Sequence, residues 1–124
     1  MNKILLAEDE EVLRMLVVDT LDDEGYTVDE ATDGEEAYEL IQKNDYALLL
    51  LDFMMPGMTG LEVIEKVREL PEKQNLKIMM LSAKNQQVDK EQVKLAGADY
   101  FISKPFSPMM LVEVIGEILG DSSD

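Results

Sequence analysis

A chain of 124 residues, 46% hydrophobic and 31% charged, has the size and balance of one globular domain. No apolar run nears the roughly 20 residues of a membrane span, and the start, Met1-Asn2-Lys3-Ile4-Leu5-Leu6-Ala7-Glu8-Asp9, meets acids too soon for a signal peptide, so a cytoplasmic protein is expected. The absence of Cys and His excludes disulfides, thiol or imidazole catalysis and His-ligated metal, while the net charge of −16 argues against direct binding to nucleic acid or membrane.

Residues 3–7 read as a short buried strand that breaks at Glu8-Asp9-Glu10-Glu11. Val12, Leu13, Leu16, Val17 and Leu21 then recur at helical spacing and predict the inner face of a first helix ending at Gly25. Residues 26–31 alternate apolar and polar, as an edge strand does. Asp33 and Glu36 resemble a capping box for a second helix with Ala37, Leu40 and Ile41 facing inward. Residues 47–51 are unbroken apolar, the pattern of a strand buried on both faces of a parallel sheet, and the run stops on Asp52. Pro56-Gly57 suits the centre of a type II turn, and Thr59 with Glu62 forms a second capping box. Val63, Ile64, Val67 and Leu70 line the third helix, which stops before Pro71.

Residues 78–81 predict a fourth buried strand ending on Ser82. The helix over residues 86–96 has a thin apolar face of Val88, Gln92, Leu95 and Ala96, and is expected to be the least firmly held. Residues 99–103 form the fifth strand, which ends at Lys104-Pro105. Ser107-Pro108 caps and opens the last helix, with Leu111, Val112, Ile115, Ile118 and Leu119 inward, and the tail 121–124 is expected to fray. Five strands alternating with five helices describe a doubly wound α/β domain over residues 1–124, with no repeat or linker.

In such a sheet all strands end on one edge, so residues distant in sequence become neighbours there. The edge receives Glu8 and Asp9 after the first strand, Asp52 from the third, Ser82 from the fourth and Lys104 from the fifth. Two unit charges 4 Å apart repel by ~4 kcal/mol at an effective dielectric near 20, so three carboxylates beside one ammonium call for a further cation. All-oxygen, carboxylate-rich coordination is what Mg²⁺ prefers. A carboxylate among Mg²⁺, an ammonium and a hydroxyl also describes a phosphoryl-transfer site in which Asp52 is the nucleophile.

These residues carry a family resemblance. Glu8-Asp9, Asp52-Phe53-Met54-Met55-Pro56-Gly57-Met58-Thr59-Gly60-Leu61-Glu62, Ser82-Ala83-Lys84 and Lys104-Pro105-Phe106 together resemble the response-regulator receiver domains of two-component signalling, over essentially the whole length. The resemblance implies the flavodoxin-like strand order 2-1-3-4-5. It implies that Asp52 accepts a phosphoryl group from a histidine kinase or histidine phosphotransfer protein. In that reading Glu8, Asp9, Asp52 and the Met54 backbone carbonyl hold Mg²⁺, and Ser82 and Lys104 bond the phosphoryl oxygens. Ser82 and Phe101 form a switch that reshapes the face of the fourth helix, fifth strand and fifth helix for an output protein. Met54 and Lys84 occupy positions similar to those that tune phosphoryl lifetime, and the peptide before Pro105 is expected to be cis. Phe101 departs from the more frequent Tyr by lacking a hydroxyl.

The implied protein is a signalling module that catalyses only its own phosphorylation and dephosphorylation, as a monomer or a phosphorylation-dependent dimer. An Asp-nucleophile phosphatase of the haloacid-dehalogenase type is a rival, but Met54 stands where such enzymes carry a general acid. Flavin-mononucleotide binding is another, and Glu8-Asp9-Glu10-Glu11 would repel its phosphate. A third is the receiver part of a longer DNA-binding regulator, against which the acidic end and missing linker favour a free-standing domain.

Overall fold

The structure is a computed structural model and describes residues 3–83 and 90–120. Strands β1 (Lys3–Ala7), β2 (Thr27–Ala31), β3 (Leu48–Asp52), β4 (Lys77–Ala83) and β5 (Tyr100–Lys104) form one parallel sheet in the order β2-β1-β3-β4-β5. Helices α1 (Glu11–Asp23), α2 (Gly34–Lys43), α3 (Gly60–Arg68), α4 (Lys90–Ala96) and α5 (Pro108–Ile115) cover its faces, with a 3₁₀ turn at Pro71–Lys73 and a π-helical turn at Gly116–Gly120. This is the doubly wound, flavodoxin-like arrangement. No helix among the described residues is long and apolar enough to cross a membrane.

Strand alternation divides the core in two. Leu48 and Leu50 face Ile4, Leu6, Met79, Leu81 and Ile102, under Val17 and Leu21 of α1 and Leu111 and Ile115 of α5. Leu49 and Leu51 face Leu5, Ala7, Ile78 and Met80, under α2, α3 and Val93 of α4. Four consecutive leucines are needed because the central strand meets helices on both sides.

Three helix faces differ from expectation: on α5, Val114 rather than Val112 packs against the core with Leu111 and Ile115, and α1 and α4 are rotated. Val12 and Leu16, predicted to point inward, are 77% and 44% exposed, whereas Leu13, Val17 and Leu21 pack on the sheet. Each exposed residue precedes an inward one by a single position, a rotation of about 100° on a 3.6-residue helix. In α4 Val93 is buried, Gln92 is exposed and Leu95 is 84% exposed. Val88, with the rest of that helix's predicted start, and the tail 121–124 lie outside the described residues.

The turn after β3 is built as its sequence requires. Gly57 has φ +76, the left-handed conformation a type II turn asks of its third residue. The Thr59 hydroxyl accepts from the Glu62 N–H at 3.2 Å and Glu62 Oε1 accepts from the Thr59 N–H at 2.9 Å, a complete capping box. Asp33 accepts from the Glu36 N–H at 2.8 Å, while Glu36 reaches back to the Thr32 N–H rather than to the cap itself. Gly60 then lets α3 start hard against β3: a Cβ there would lie 2.9 Å from the Asp52 carbonyl oxygen and 3.0 Å from Phe53 Cα. Gly60→Ala should therefore destabilise the fold by about 1–3 kcal/mol through overpacking, read as a lower urea midpoint at unchanged m-value.

Candidate functional site

The row Ile4-Leu6 of β1 continues to Glu8, the row Leu48-Leu50 of β3 to Asp52, and Ile102 of β5 to Lys104. All three are two residues beyond side chains that share one face, so alternation delivers them to the same side of the sheet edge. Asp52 and Lys104 are the last residues of their ladders rather than the first of the loops, and the Glu8 N–H extends the β1–β2 ladder by bonding the Ala31 carbonyl at 3.0 Å. Lys104 Nζ sits 2.9 Å from Glu8 Oε1 and 3.3 Å from Asp52 Oδ1. Glu8 Oε2 accepts from the Glu10 N–H at 3.0 Å, and Asp52 Oδ1 receives a long 3.4 Å contact from the Met54 N–H.

Glu8 and Asp52 are only 1% and 4% exposed, whereas Asp9 beside them is open to solvent. One carboxylate oxygen from each of Glu8, Asp9 and Asp52 lies within 4.8 Å of the others. Three hard oxygen donors at this separation, one of them solvent-facing, fit a small, partly hydrated divalent cation such as Mg²⁺. Burial, and then the charge of Glu8, push the Asp52 carboxyl up to about 7 despite the opposing pull of Lys104. For Lys104, burial opposes the charge, but the hydrogen bond to Glu8 and the charges of Asp52 and Glu8 outweigh it, and its pKa is raised.

Ser82 lies inside β4 and is 5% exposed, one residue past Leu81, the register partner of Asp52. By alternation it belongs to the row of Ile78 and Met80, the face against which Phe101 packs; Tyr100 packs on the opposite face. Met54 is 53% exposed in the loop after β3. The Lys104–Pro105 peptide is cis, as expected. Lys84 lies outside the described residues. The structure thus brings together Glu8, Asp9, Asp52 and Lys104, and sets Ser82 and Phe101 in the alternate row, on the opposite face of the sheet. One participant was not singled out from sequence: Arg14 of α1 donates from Nη1 to the Glu8 carbonyl at 2.9 Å and from Nε to Glu30 Oε1 at 3.1 Å. Its only sequence signal is rarity, since residues 1–62 hold three basic side chains among 17 acids.

Residues 4–116 match the response regulator receiver domain family model. The chain belongs to that family. It is 43% identical over 111 residues to the transcriptional regulatory protein SrrA of Staphylococcus aureus, an alignment covering 90% of this chain and 45% of SrrA. The chain thus spans about half the length of the curated relatives it matches. Among solved structures, the chemotaxis response regulator CheY4 of Vibrio cholerae is 35% identical with a TM-score of 0.88, over 96% of this chain and 99% of that one. The response regulator TrrA of Thermotoga maritima, solved in complex with Mg²⁺-BeF, is 34% identical with a TM-score of 0.84, over 96% and 100%.

The raised Asp52 carboxyl has a consequence for stability. The folded chain holds this proton from its ordinary 3.8 up to about 7, so the contribution of Asp52 is intact below about 4 and is lost as pH rises through about 7. In divalent-free buffer, Asp52→Asn should match the wild type near pH 4 and exceed it at pH 8, by up to about 4 kcal/mol. Urea titrations of both proteins across that pH range measure the difference, and a constant offset would contradict it.

Proposed function

We propose that this protein is a phospho-acceptor signalling domain in which Asp52 takes a phosphoryl group from the phosphohistidine of a histidine kinase or histidine phosphotransfer protein. The observation that carries the reading is the Lys104 ammonium at 3.3 Å from Asp52, beside three carboxylates converging within 4.8 Å. Glu8, Asp9, Asp52 and the Met54 carbonyl are the residues that would hold Mg²⁺, which when bound neutralises charge on the transferred phosphoryl oxygens. Asp52 attacks phosphorus through a carboxylate oxygen, the P–N bond to the donor imidazole breaks with its electron pair going to the ring, and an aspartyl phosphate results. Lys104 swings its ammonium from Asp52 to a phosphoryl oxygen, and the Ser82 hydroxyl donates to another.

Ser82 and Phe101 share one face of the sheet, which supports coupling between them. As Ser82 moves toward the phosphoryl group, Phe101 turns inward and reshapes the α4–β5–α5 surface for an output protein. The domain is cytoplasmic and catalyses only its own phosphorylation and dephosphorylation. A phosphatase reading is weaker, because the Met54 thioether cannot serve as a general acid. The match to SrrA supports a second setting for the same switch, as the receiver part of a longer transcriptional regulator.

Incubation with Mg²⁺ and acetyl phosphate should add one phosphoryl group by intact mass, and Asp52→Asn should abolish it. An adduct that persists in Asp52→Asn refutes the assignment. The exposed Met54 side chain offers no hydrogen bond to an attacking water, so Met54→Asn should shorten the lifetime of the phosphorylated protein several-fold, followed by loss of the adduct after the donor is removed.

A further inference from the structure

Arg14 is the basic side chain of α1, and both of its hydrogen bonds go to the edge that carries the acids. Its side chain is 14% exposed, so it is held against the protein rather than solvated. The carbonyl it binds, that of Glu8, belongs to the peptide unit joining Glu8 to Asp9. A peptide unit is planar, so fixing its carbonyl fixes the direction in which the next Cα departs. Glu8 needs little such help. Its N–H is bonded to Ala31, Oε1 to Lys104 and Oε2 to the Glu10 N–H. Asp9 is exposed, so its direction is set chiefly by the backbone that presents it. Glu30 on β2 holds Arg14 from the other side, making a two-point grip that spans the β1–α1 loop and the neighbouring strand.

We propose that Arg14 is a positioning residue for the acidic pair: by holding the Glu8–Asp9 peptide, with Glu30 as its own anchor, it presents Asp9 toward the divalent cation. The inference rests on the reading of Glu8, Asp9 and Asp52 as Mg²⁺ ligands. The direction of the effect separates it from simple electrostatics. Removing a positive charge beside an acidic site should strengthen cation binding if charge were all that mattered, whereas loss of positioning weakens it.

Mg²⁺ affinity is measured by calorimetric titration of the wild type, Arg14→Ala, Arg14→Lys, Glu30→Ala and the double variant Arg14→Ala/Glu30→Ala, with urea stability recorded in metal-free buffer. Arg14→Ala should bind Mg²⁺ about tenfold more weakly, the loss typical of a residue that orients a ligand. Arg14→Lys, which keeps the charge but not the two-point grip, should recover only part of it. Glu30→Ala should weaken binding less and add nothing to Arg14→Ala, because the two act in series. Unchanged or tighter binding by Arg14→Ala overturns the proposal, as does full recovery in Arg14→Lys. Should Arg14→Ala fail to fold, wild-type affinity in Glu30→Ala overturns it instead. Asp9→Asn separates the two levels: if it binds Mg²⁺ as the wild type does, the ligand assignment itself falls, and if it alone weakens binding, only the role of Arg14 does.

Discussion

Glu8 and Asp52 are both almost fully buried and close enough to share a single ammonium, and everything else at the carboxyl edge follows from that constraint. Removing a carboxylate from water costs several kcal/mol even after relaxation, and two such groups side by side add mutual repulsion. Lys104 supplies the compensation from β5, although β4 lies between β5 and β3. Only a long side chain ending in a compact charge can pass over the end of β4 and still touch both acids. The compensation is incomplete, as the raised Asp52 carboxyl shows. Among the described residues, one ammonium for two buried carboxylates and an adjacent third leaves the edge short of positive charge, which is the physical basis for its fit to a divalent cation.

How much of this could be read in the chain depended on whether a residue's role is fixed locally. The Leu48–Leu51 run, the Thr59–Glu62 box and the Pro56-Gly57 turn announce themselves because their neighbours in sequence are also their partners in space. The convergence of Glu8, Asp52 and Lys104 was legible for a different reason: a parallel sheet places every strand end on one edge, so five local patterns imply one distant cluster. The faces of α1 and α4 were less legible. In α1 both the Val12/Leu16 pair and the Leu13/Val17 pair satisfy helical spacing, and only the sheet beneath decides between them. In α4 the apolar residues are so few that a shift of one position, from Gln92 to Val93, changes the inward face. Arg14 left no signal beyond its rarity among acids, because its partners are a backbone carbonyl and a side chain 16 residues away.

The two alternation rows lie on opposite faces of the sheet. Glu8, Asp52 and Lys104 extend one row, and Ser82 with Phe101 lies on the other, under the α3–α4 side. Among the described residues, the two rows come together at the strand ends, where Ser82 follows the register partner of Asp52 by one residue. Asp52 is thus anchored at the end of the fully buried β3, and among the described residues Ser82 lies between it and the more exposed α4–β5 side. The exposed Leu95, Met109 and Met110 lie on that side and on α5, whereas the leucines of β3 are wholly enclosed.

The pairing of Glu8 with Lys104 joins residues 96 positions apart, and β5 is an edge strand. During synthesis the strands carrying Glu8 and Asp52 emerge first and lie side by side in the finished sheet, but their shared counter-charge is among the last strand residues to be made. Until β5 docks, closing the β1–β3 edge buries two acids without the Lys104 ammonium between them, which opposes burial. The chemistry of the edge thus makes its own completion cooperative: the residue that finishes the sheet is also the one that makes its acidic end tolerable to bury.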